Sequence, residues 1–378
     1  MSGMTFTPTS FAPSVYLERL HKAQSIVAST GIDLLIVGTG TDFAYLTGSW
    51  MSSHERLTAL VVPAQGDCRV LAPQTDYQDL FSSPLGEIGV EIRGWKDGED
   101  PYRSAVEGMA KPERIALGSS LTADHVLRFQ QLLSHAEFSL ATYALAELFM
   151  SKGAAEIAEL SKAGAAIDAV HDAVPQLLQA GLTEAQVAAQ LHEKILREHA
   201  EVDFVIVGSG PNGANPHHSF SDRVVEHGDP VVVDIGGTLP SGYHSDCTRT
   251  YIVGGALDAA PAGFTQAYDV LLKAQAAGRA QAIAGSTASE VDEVTRRIIS
   301  DAGFGEYFVH RTGHGIGLST HEEPFIMRGN EVVLQPGMAF SIEPGIYMPG
   351  QWGMRLEDIV VVGDAECICL NDGPRELR

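Results

Sequence analysis

Four segments in the second half of the chain place acidic or histidine side chains beside strand-like runs and glycine punctuation. In VVVDIGGTLPSGYHSDCTRTY, Asp234 closes a β-branched run, and the Gly-, Pro- and Ser-containing stretch after it reads as a hairpin returning to Asp246. Two carboxylates from adjacent strands then converge on one point, where their repulsion is costly unless a cation or a shared proton lies between them. The segment VHRTGHGIGLSTHEEP carries His310, His314 and His321 in a Gly-rich stretch. FSIEPGIY sets Glu343 at a strand end before Pro-Gly, and MRLEDIVVV sets Glu357 at the start of an apolar strand.

One histidine with four carboxylates is a hard, oxygen-rich donor set. It suits Mn²⁺, Co²⁺, Fe²⁺ or Zn²⁺ better than copper, and it lacks the thiolates of a structural zinc site. Five such donors are enough for two ions with bridging groups, and two ions about 3.5–4 Å apart generate a hydroxide at neutral pH and polarise a carbonyl oxygen. Taken singly, each residue has a bland reading: a strand-end Asp is usually a turn residue, and a lone Glu is usually solvated. The five together, in order and in context, reverse that balance.

The order Asp, Asp, His, Glu, Glu in these contexts resembles the pita-bread dinuclear metallopeptidases, a family that includes methionine aminopeptidase, aminopeptidase P and prolidase. The resemblance spans about Gly153–Leu370 and fills all five ligand positions, which makes Asp234, Asp246, His314, Glu343 and Glu357 the expected metal ligands. Asp234 and Asp246 stand 12 positions apart, one more than in many relatives, and the extra residue is expected to lengthen the Thr238–Gly242 turn. GSGPNGANPHHSF is similar to the stretch whose His lies beside the substrate in the proline-specific members; by alignment that is His217, with His218 the second choice. His310 and His321 match that subgroup's other active-site histidines. Arg355 matches its Arg, which would orient Glu357 or meet a substrate carboxylate. Tyr243 and Thr248 flank Asp246 as expected supports of the ligands.

The resemblance implies two divalent ions, Mn²⁺ foremost with Co²⁺ or Zn²⁺ as alternatives, and a small peptide substrate. The implied reaction is hydrolysis of the Xaa-Pro bond in dipeptides, with His217, His310, His321, Glu343 and Arg355 serving the chemistry. An aminopeptidase P acting on longer peptides is the alternative, followed by a creatinase-like hydrolase, whose relatives lack the metal ligands. A homodimer is implied as well.

These residues must be held by an α+β framework. After an opening stretch through Ser14 rich in Ser, Thr and Pro, helical spacing runs through Leu17, Leu20, Ala23, Ile26 and Val27 to Gly31. Short apolar runs at Leu34–Val37, Ala59–Val62, Val70–Ala72 and Ile115–Leu117 read as strands, with a helix near Ala123–Leu133. TDFAYLTGS resembles the creatinase-like N-terminal domain that prolidase and aminopeptidase P share. From Gly153 an Ala-rich helical pattern runs to Ala180, restarts after Thr183 and continues to about His199. Strands follow at Phe204–Val207, Val231–Ile235 and Thr248–Val253; a second helical pair, Phe264–Ala284 and Ser289–Ala302, precedes strands at Met338–Ile342, Asp358–Val362 and Cys367–Leu370. The expected domains are residues 1–148, a smaller α/β domain, and 149–378, a pita-bread catalytic domain, meeting near Leu148–Lys152.

Composition narrows the partners. With 25 Lys+Arg against 48 Asp+Glu, the net charge of −23 repels nucleic acid and anionic membrane. No run reaches the about 18 apolar residues of a spanning helix. The opening residues show no basic stretch followed by an apolar core, so no secretory signal is expected. Four scattered cysteines form neither a disulfide scaffold nor a zinc pair, which fits a reducing cytoplasm. Cys247 reads as buried packing, and His54, His125, His171 and His199 as surface or packing residues.

Overall fold

The computed structural model describes residues 6–53 and 55–378, so His54 lies outside the described residues. The chain divides into two compact units, Met1–Phe149 and Met150–Arg378. The first is a six-stranded mixed sheet of β1 (Leu34–Gly38), β2 (Ala59–Pro63), β3 (Arg69–Pro73), β4 (Glu91–Trp95), β5 (Arg114–Leu117) and β6 (Glu137–Leu140), in the order β4-β3-β2-β1-β5-β6. Leu34, Ile36, Val61, Leu71 and Ile115 from its centre pack with Trp95 and Phe129 into one core. The outer strands β4 and β6 show no apolar run, because EIRGW and EFSL carry charged or polar residues on edge strands.

The second unit is built on helices at Ala154–Leu177 and Glu184–Glu198 packed over an antiparallel sheet of β7 (Glu201–Ser209), β8 (Pro230–Thr238) and β9 (His244–Ile252). The second helix begins at a capping box in which Thr183 and Gln186 satisfy each other's backbone N–H groups. The first ends before the Ala180 that periodicity suggests. Pro175 lacks an N–H to bond the carbonyl of His171, and that carbonyl takes the Tyr251 hydroxyl at 3.3 Å instead.

Strand alternation then decides which residues meet the helices. Val231, Val233 and Ile235 of β8, with Cys247 and Tyr251 of β9, join Ile167, Val170, Val187, Leu191 and Ile195 in the core. Asp234, Asp246 and Thr248 fall in the opposite phase and face away from those helices.

A second helical pair, Phe264–Gln281 and Ala288–Asp301, precedes the remaining strands. These are β10 (Gly313–Gly315), β11 (Glu322–Ile326), β12 (Ala339–Ile342), β13 (Gly345–Met348), β14 (Trp352–Arg355), β15 (Asp358–Val361) and β16 (Ile368–Cys369). Five of them form an antiparallel sheet in the order β11-β10-β12-β15-β16, and β13 pairs with β14 as a hairpin. Among the described residues no helix is long and apolar enough to cross a membrane.

Candidate metal centre

Asp234 pairs with Thr248, and Gly236 with Asp246, in an unbroken β8–β9 register. The even spacing therefore puts both carboxylates on one face of the hairpin, diagonal to each other across adjacent strands. The connecting turn lies at 239–243, clear of both. His314 comes from the middle of β10, where Gly313 and Gly315 let neighbouring strands approach too closely for a Cβ. Glu343 follows β12, its N–H held by the Thr312 carbonyl at 2.8 Å, and Glu357 precedes β15, its N–H held by the Thr248 carbonyl at 3.1 Å. Two sheets thus deliver five ionisable side chains to one place.

Carboxylate oxygens of Asp246 and Glu357 and a ring nitrogen of His314 all lie within 4.8 Å of one another. His314 Nε2 is 3.7 Å from Asp246 Oδ2 and 3.2 Å from Glu343 Oε1. Its Nδ1 lies 3.1 Å from the carbonyl of Gly315, which can only accept, so Nδ1 carries a proton and Nε2 faces the carboxylates. Ser341 Oγ links the two neighbours, accepting from His314 N–H at 3.0 Å and donating to Glu343 Oε1 at 3.0 Å.

Burial and mutual charge set the electrostatics of the cluster. Burial, followed by the charges of Glu357, Asp234 and Glu343, pushes the Asp246 carboxyl well above the usual range. Burial and the charges of Glu343 and Asp234 do the same to Glu357. Asp234 is raised by burial against the opposing pull of Arg355, and among the described residues its buried Oδ1 has no hydrogen-bond partner. Burial also works to raise Glu343, but the hydrogen bond and charge of His314, with His310 and Arg355, pull it down to about 2. Four buried carboxylates that repel one another, one with an orphaned oxygen, fit divalent cations as their missing partners.

Arg355 is 3 % exposed and nearly all its donors are committed. Nε donates to Thr248 Oγ1 at 3.0 Å, Nη1 to the Tyr347 hydroxyl at 2.8 Å and the Pro216 carbonyl at 3.1 Å, and Nη2 to Asp234 Oδ2. Thr248 in turn donates to Glu357 Oε2 at 2.8 Å. Of the two roles the sequence suggested for Arg355, the geometry supplies the orienting one: it holds Asp234 directly and Glu357 through Thr248. Tyr243, by contrast, gives its hydroxyl proton to Glu156 at 2.8 Å.

His310 receives the Tyr347 hydroxyl at Nε2 (2.8 Å) while Nδ1 donates to the Arg311 carbonyl at 2.7 Å, and burial lowers its pKa. His321 stacks obliquely on His314 with ring centroids 4.0 Å apart. Desolvation, then the charges of His314 and Arg311, lowers it to about 4, so it is neutral at physiological pH. His217 is exposed beside Pro216, whose carbonyl is tied to Arg355, whereas His218 bonds Glu184 Oε2 at 2.8 Å. Of the adjacent pair, His217 is therefore the one available to a substrate. His171 bonds the Tyr251 hydroxyl and the Cys247 carbonyl, both at 2.9 Å, and His125 and His199 are buried in packing. Cys247 is fully buried, and burial raises its thiol well above the usual value. Ser341 and Tyr347 stand inside the FSIEPGIY segment, two before and four after Glu343, yet nothing local marks them, because only the folded strands show what they touch.

Residues 158–364 match the Metallopeptidase family M24, and residues 19–150 match the Creatinase/Prolidase N-terminal domain. The chain belongs to metallopeptidase family M24. This M24 chain is 49% identical to the probable dipeptidase PepE of Mycobacterium tuberculosis over 370 residues, covering 97% of each protein. It is 35% identical to the Xaa-Pro dipeptidase of Lactobacillus delbrueckii subsp. lactis, covering 91% of this chain and 94% of that protein. Among solved structures, the dipeptidase PepE of Mycobacterium ulcerans superposes with a TM-score of 0.93 at 48% identity, over 98% of this chain and 99% of that one. A prolidase from Thermococcus sibiricus gives 0.85 at 34% identity, over 96% and 98%. Family membership implies divalent metal binding, and the fold is the two-domain architecture expected, a creatinase-like domain followed by an M24 domain.

Proposed function

We propose that this M24 peptidase hydrolyses the Xaa-Pro bond of dipeptides, with Asp234, Asp246, His314, Glu343 and Glu357 holding two divalent ions. The observation that carries the reading is the burial of four carboxylates that act on one another, three of them beside His314, an arrangement that asks for cations. Mn²⁺ is the ion best matched to so oxygen-rich a set, with Co²⁺ or Zn²⁺ as substitutes. When bound, such ions lower the pKa of water and polarise the scissile carbonyl.

The chain's own residues do the rest. Glu343, whose Oε1 accepts from Ser341 Oγ at 3.0 Å, accepts the proton of the attacking water and passes it to the departing proline nitrogen. His321, neutral at working pH, and the exposed His217 offer N–H groups to the oxygen on which negative charge develops. His310 and Arg355, joined through the Tyr347 hydroxyl, hold Asp234 and the β13–β14 hairpin in place. The substrate's amine approaches the acidic ligands, which confines cleavage to an N-terminal residue. Proline's nitrogen carries no N–H in the peptide, so selectivity for it needs shape and apolar contact, not an acceptor. A cytoplasmic homodimer completes the proposal and rests on the family resemblance.

The test is to strip the protein of metal, restore Mn²⁺, and compare proline release from Ala-Pro with cleavage of Ala-Pro-Ala. Metal-dependent turnover of Ala-Pro alone is expected. Turnover of both would move the assignment to an Xaa-Pro aminopeptidase, and turnover of neither with Mn²⁺, Co²⁺ or Zn²⁺ would end the proline-specific reading.

A further inference from the structure

Whereas His314 and Arg355 are buried, the His217 ring is exposed, so its position relative to the metal centre is set by the backbone that carries it. That backbone is irregular. Between β7 and β8 the chain forms one 3₁₀ turn at Gly210–Ala214 and then neither helix nor strand until Pro230. Such a segment holds a side chain to the precision that catalysis needs only when other side chains tie it down.

Glu184 supplies the tie. It opens the helix Glu184–Glu198, directly after the Thr183 cap, and is fully buried. Its Oε1 accepts from the Ser209 N–H at 2.7 Å, Ser209 Oγ at 2.6 Å and Asn212 Nδ2 at 3.1 Å. Its Oε2 accepts from the Ser221 N–H at 2.9 Å, Ser221 Oγ at 2.6 Å, His218 Nε2 at 2.8 Å and Asn212 Nδ2 at 3.1 Å. Ser209 and Ser221 bracket the segment, so one carboxylate closes it into a loop, and Asn212 and His218 are held on either side of His217. The Asn212 carbonyl accepts from the Asn215 N–H at 3.1 Å, and Asn215 Oδ1 accepts from the His217 N–H at 3.3 Å, which carries the restraint to His217 itself. Burial works to raise the Glu184 pKa, but the hydrogen bonds of Ser209, Ser221 and His218 outweigh it and hold the carboxyl below its ordinary range.

The other side of the loop rests on β14. The Gly213 carbonyl lies so close to Gly353 that no Cβ fits there. The same strand ends at Arg355, which bonds the Pro216 carbonyl at 3.1 Å and reaches Asp234. His217 therefore stands between a clamp on the helix and a strand joined to the metal centre.

We infer that Glu184 is a positioning residue for His217, holding the Ser209–Ser221 loop so that the His217 ring meets the oxygen on which negative charge develops. The inference rests on the Xaa-Pro reading, in which His217 has that task, and its test separates the two. Glutamine cannot replace the carboxylate, because the Ser209 and Ser221 N–H groups meet different oxygens and an amide has only one.

The experiment measures kcat and KM on Ala-Pro for the full-length Mn²⁺-loaded wild type, Glu184→Gln, His217→Ala and the double variant. Glu184→Gln should lose about 10- to 100-fold in kcat with little change in KM, the range for a misplaced catalytic group. In the His217→Ala background the same substitution should change kcat by no more than about twofold, because the group it positions is already gone. Mn²⁺ affinity, read by competition with a chelating dye, should match wild type in Glu184→Gln. Should Glu184→Gln fail to fold, His218→Leu removes a single donor and His218→Gln returns an N–H to its place. The Leu variant should then lose kcat only while His217 is present, and the Gln variant should recover it. Losses that multiply in the double variant, or Mn²⁺ binding weakened in step with kcat, would show a general role in the fold and overturn the inference while leaving Xaa-Pro hydrolysis standing. A Glu184→Gln variant with the kcat of wild type would overturn it as well. Failure of wild type to cleave Ala-Pro would instead strike the underlying reading, and the inference with it.

Discussion

Replacing Thr248 by Val removes one hydroxyl from beneath the metal centre and almost no volume. That hydroxyl accepts from Arg355 Nε at 3.0 Å and donates to Glu357 Oε2 at 2.8 Å, and all three side chains are buried. In the Val variant a charged N–H loses its acceptor, and a carboxylate loses the donor that fixes its orientation. An unsatisfied buried group of this kind costs about 1–3 kcal/mol. Arg355 retains Asp234, Tyr347 and Pro216, so the loss falls mainly on Glu357. Loss of such a support weakens metal binding by about 10- to 100-fold. Titrating metal-free protein with Mn²⁺ in competition with a chelating dye measures this directly. Thr248→Ser, which keeps the hydroxyl, should stay within about threefold of wild type. A Val variant that binds Mn²⁺ as tightly as wild type, or a Ser variant as damaged as Val, would refute the reasoning.

Two further predictions follow from the carboxylate repulsion. Asp246 and Glu357 have raised pKa values in the folded, metal-free protein, so above the ordinary carboxylate range near 4 the folded state binds more protons than the unfolded chain. Their contribution to stability is thus present at low pH and lost as pH rises through the raised values. The gap in unfolding temperature between Mn²⁺-loaded and metal-free protein should therefore widen from about pH 5 to about pH 8, and a constant or narrowing gap in calorimetry would count against the cluster as described. Glu357→Gln removes one of the repelling charges: it should abolish turnover of Ala-Pro yet raise the melting temperature of the metal-free protein at about pH 8, by about 2–4 °C per kcal/mol relieved. A metal-free Gln variant less stable than metal-free wild type would show that the repulsion is not there to be relieved.

The candidate ligand set is legible because each residue has its own local signal, although in the fold Asp234 and Asp246 lie within β8 and β9 and His314 in the middle of β10. A β-branched run ends at Asp234, and Pro-Gly follows Glu343. Apolar periodicity likewise marked the main helices and the central strands β1, β2, β3 and β5. Edge strands with mixed polarity escaped, as did the β13–β14 hairpin, whose strands at Gly345–Met348 and Trp352–Arg355 are too short to show alternation. The support network was hidden for a deeper reason. Arg355 meets Pro216, Asp234 and Thr248 across more than 100 positions of sequence, and nothing local to it announces those partners.

Anomalous diffraction from crystals of the Mn²⁺-loaded protein tests the central claim most directly. Two manganese peaks are expected between the β8–β9 hairpin and the β10-β12-β15 sheet, ligated by Asp234, Asp246, His314, Glu343 and Glu357, and none in Asp246→Asn. A fully active protein whose metal binds elsewhere, or with the five side chains unligated, would contradict it.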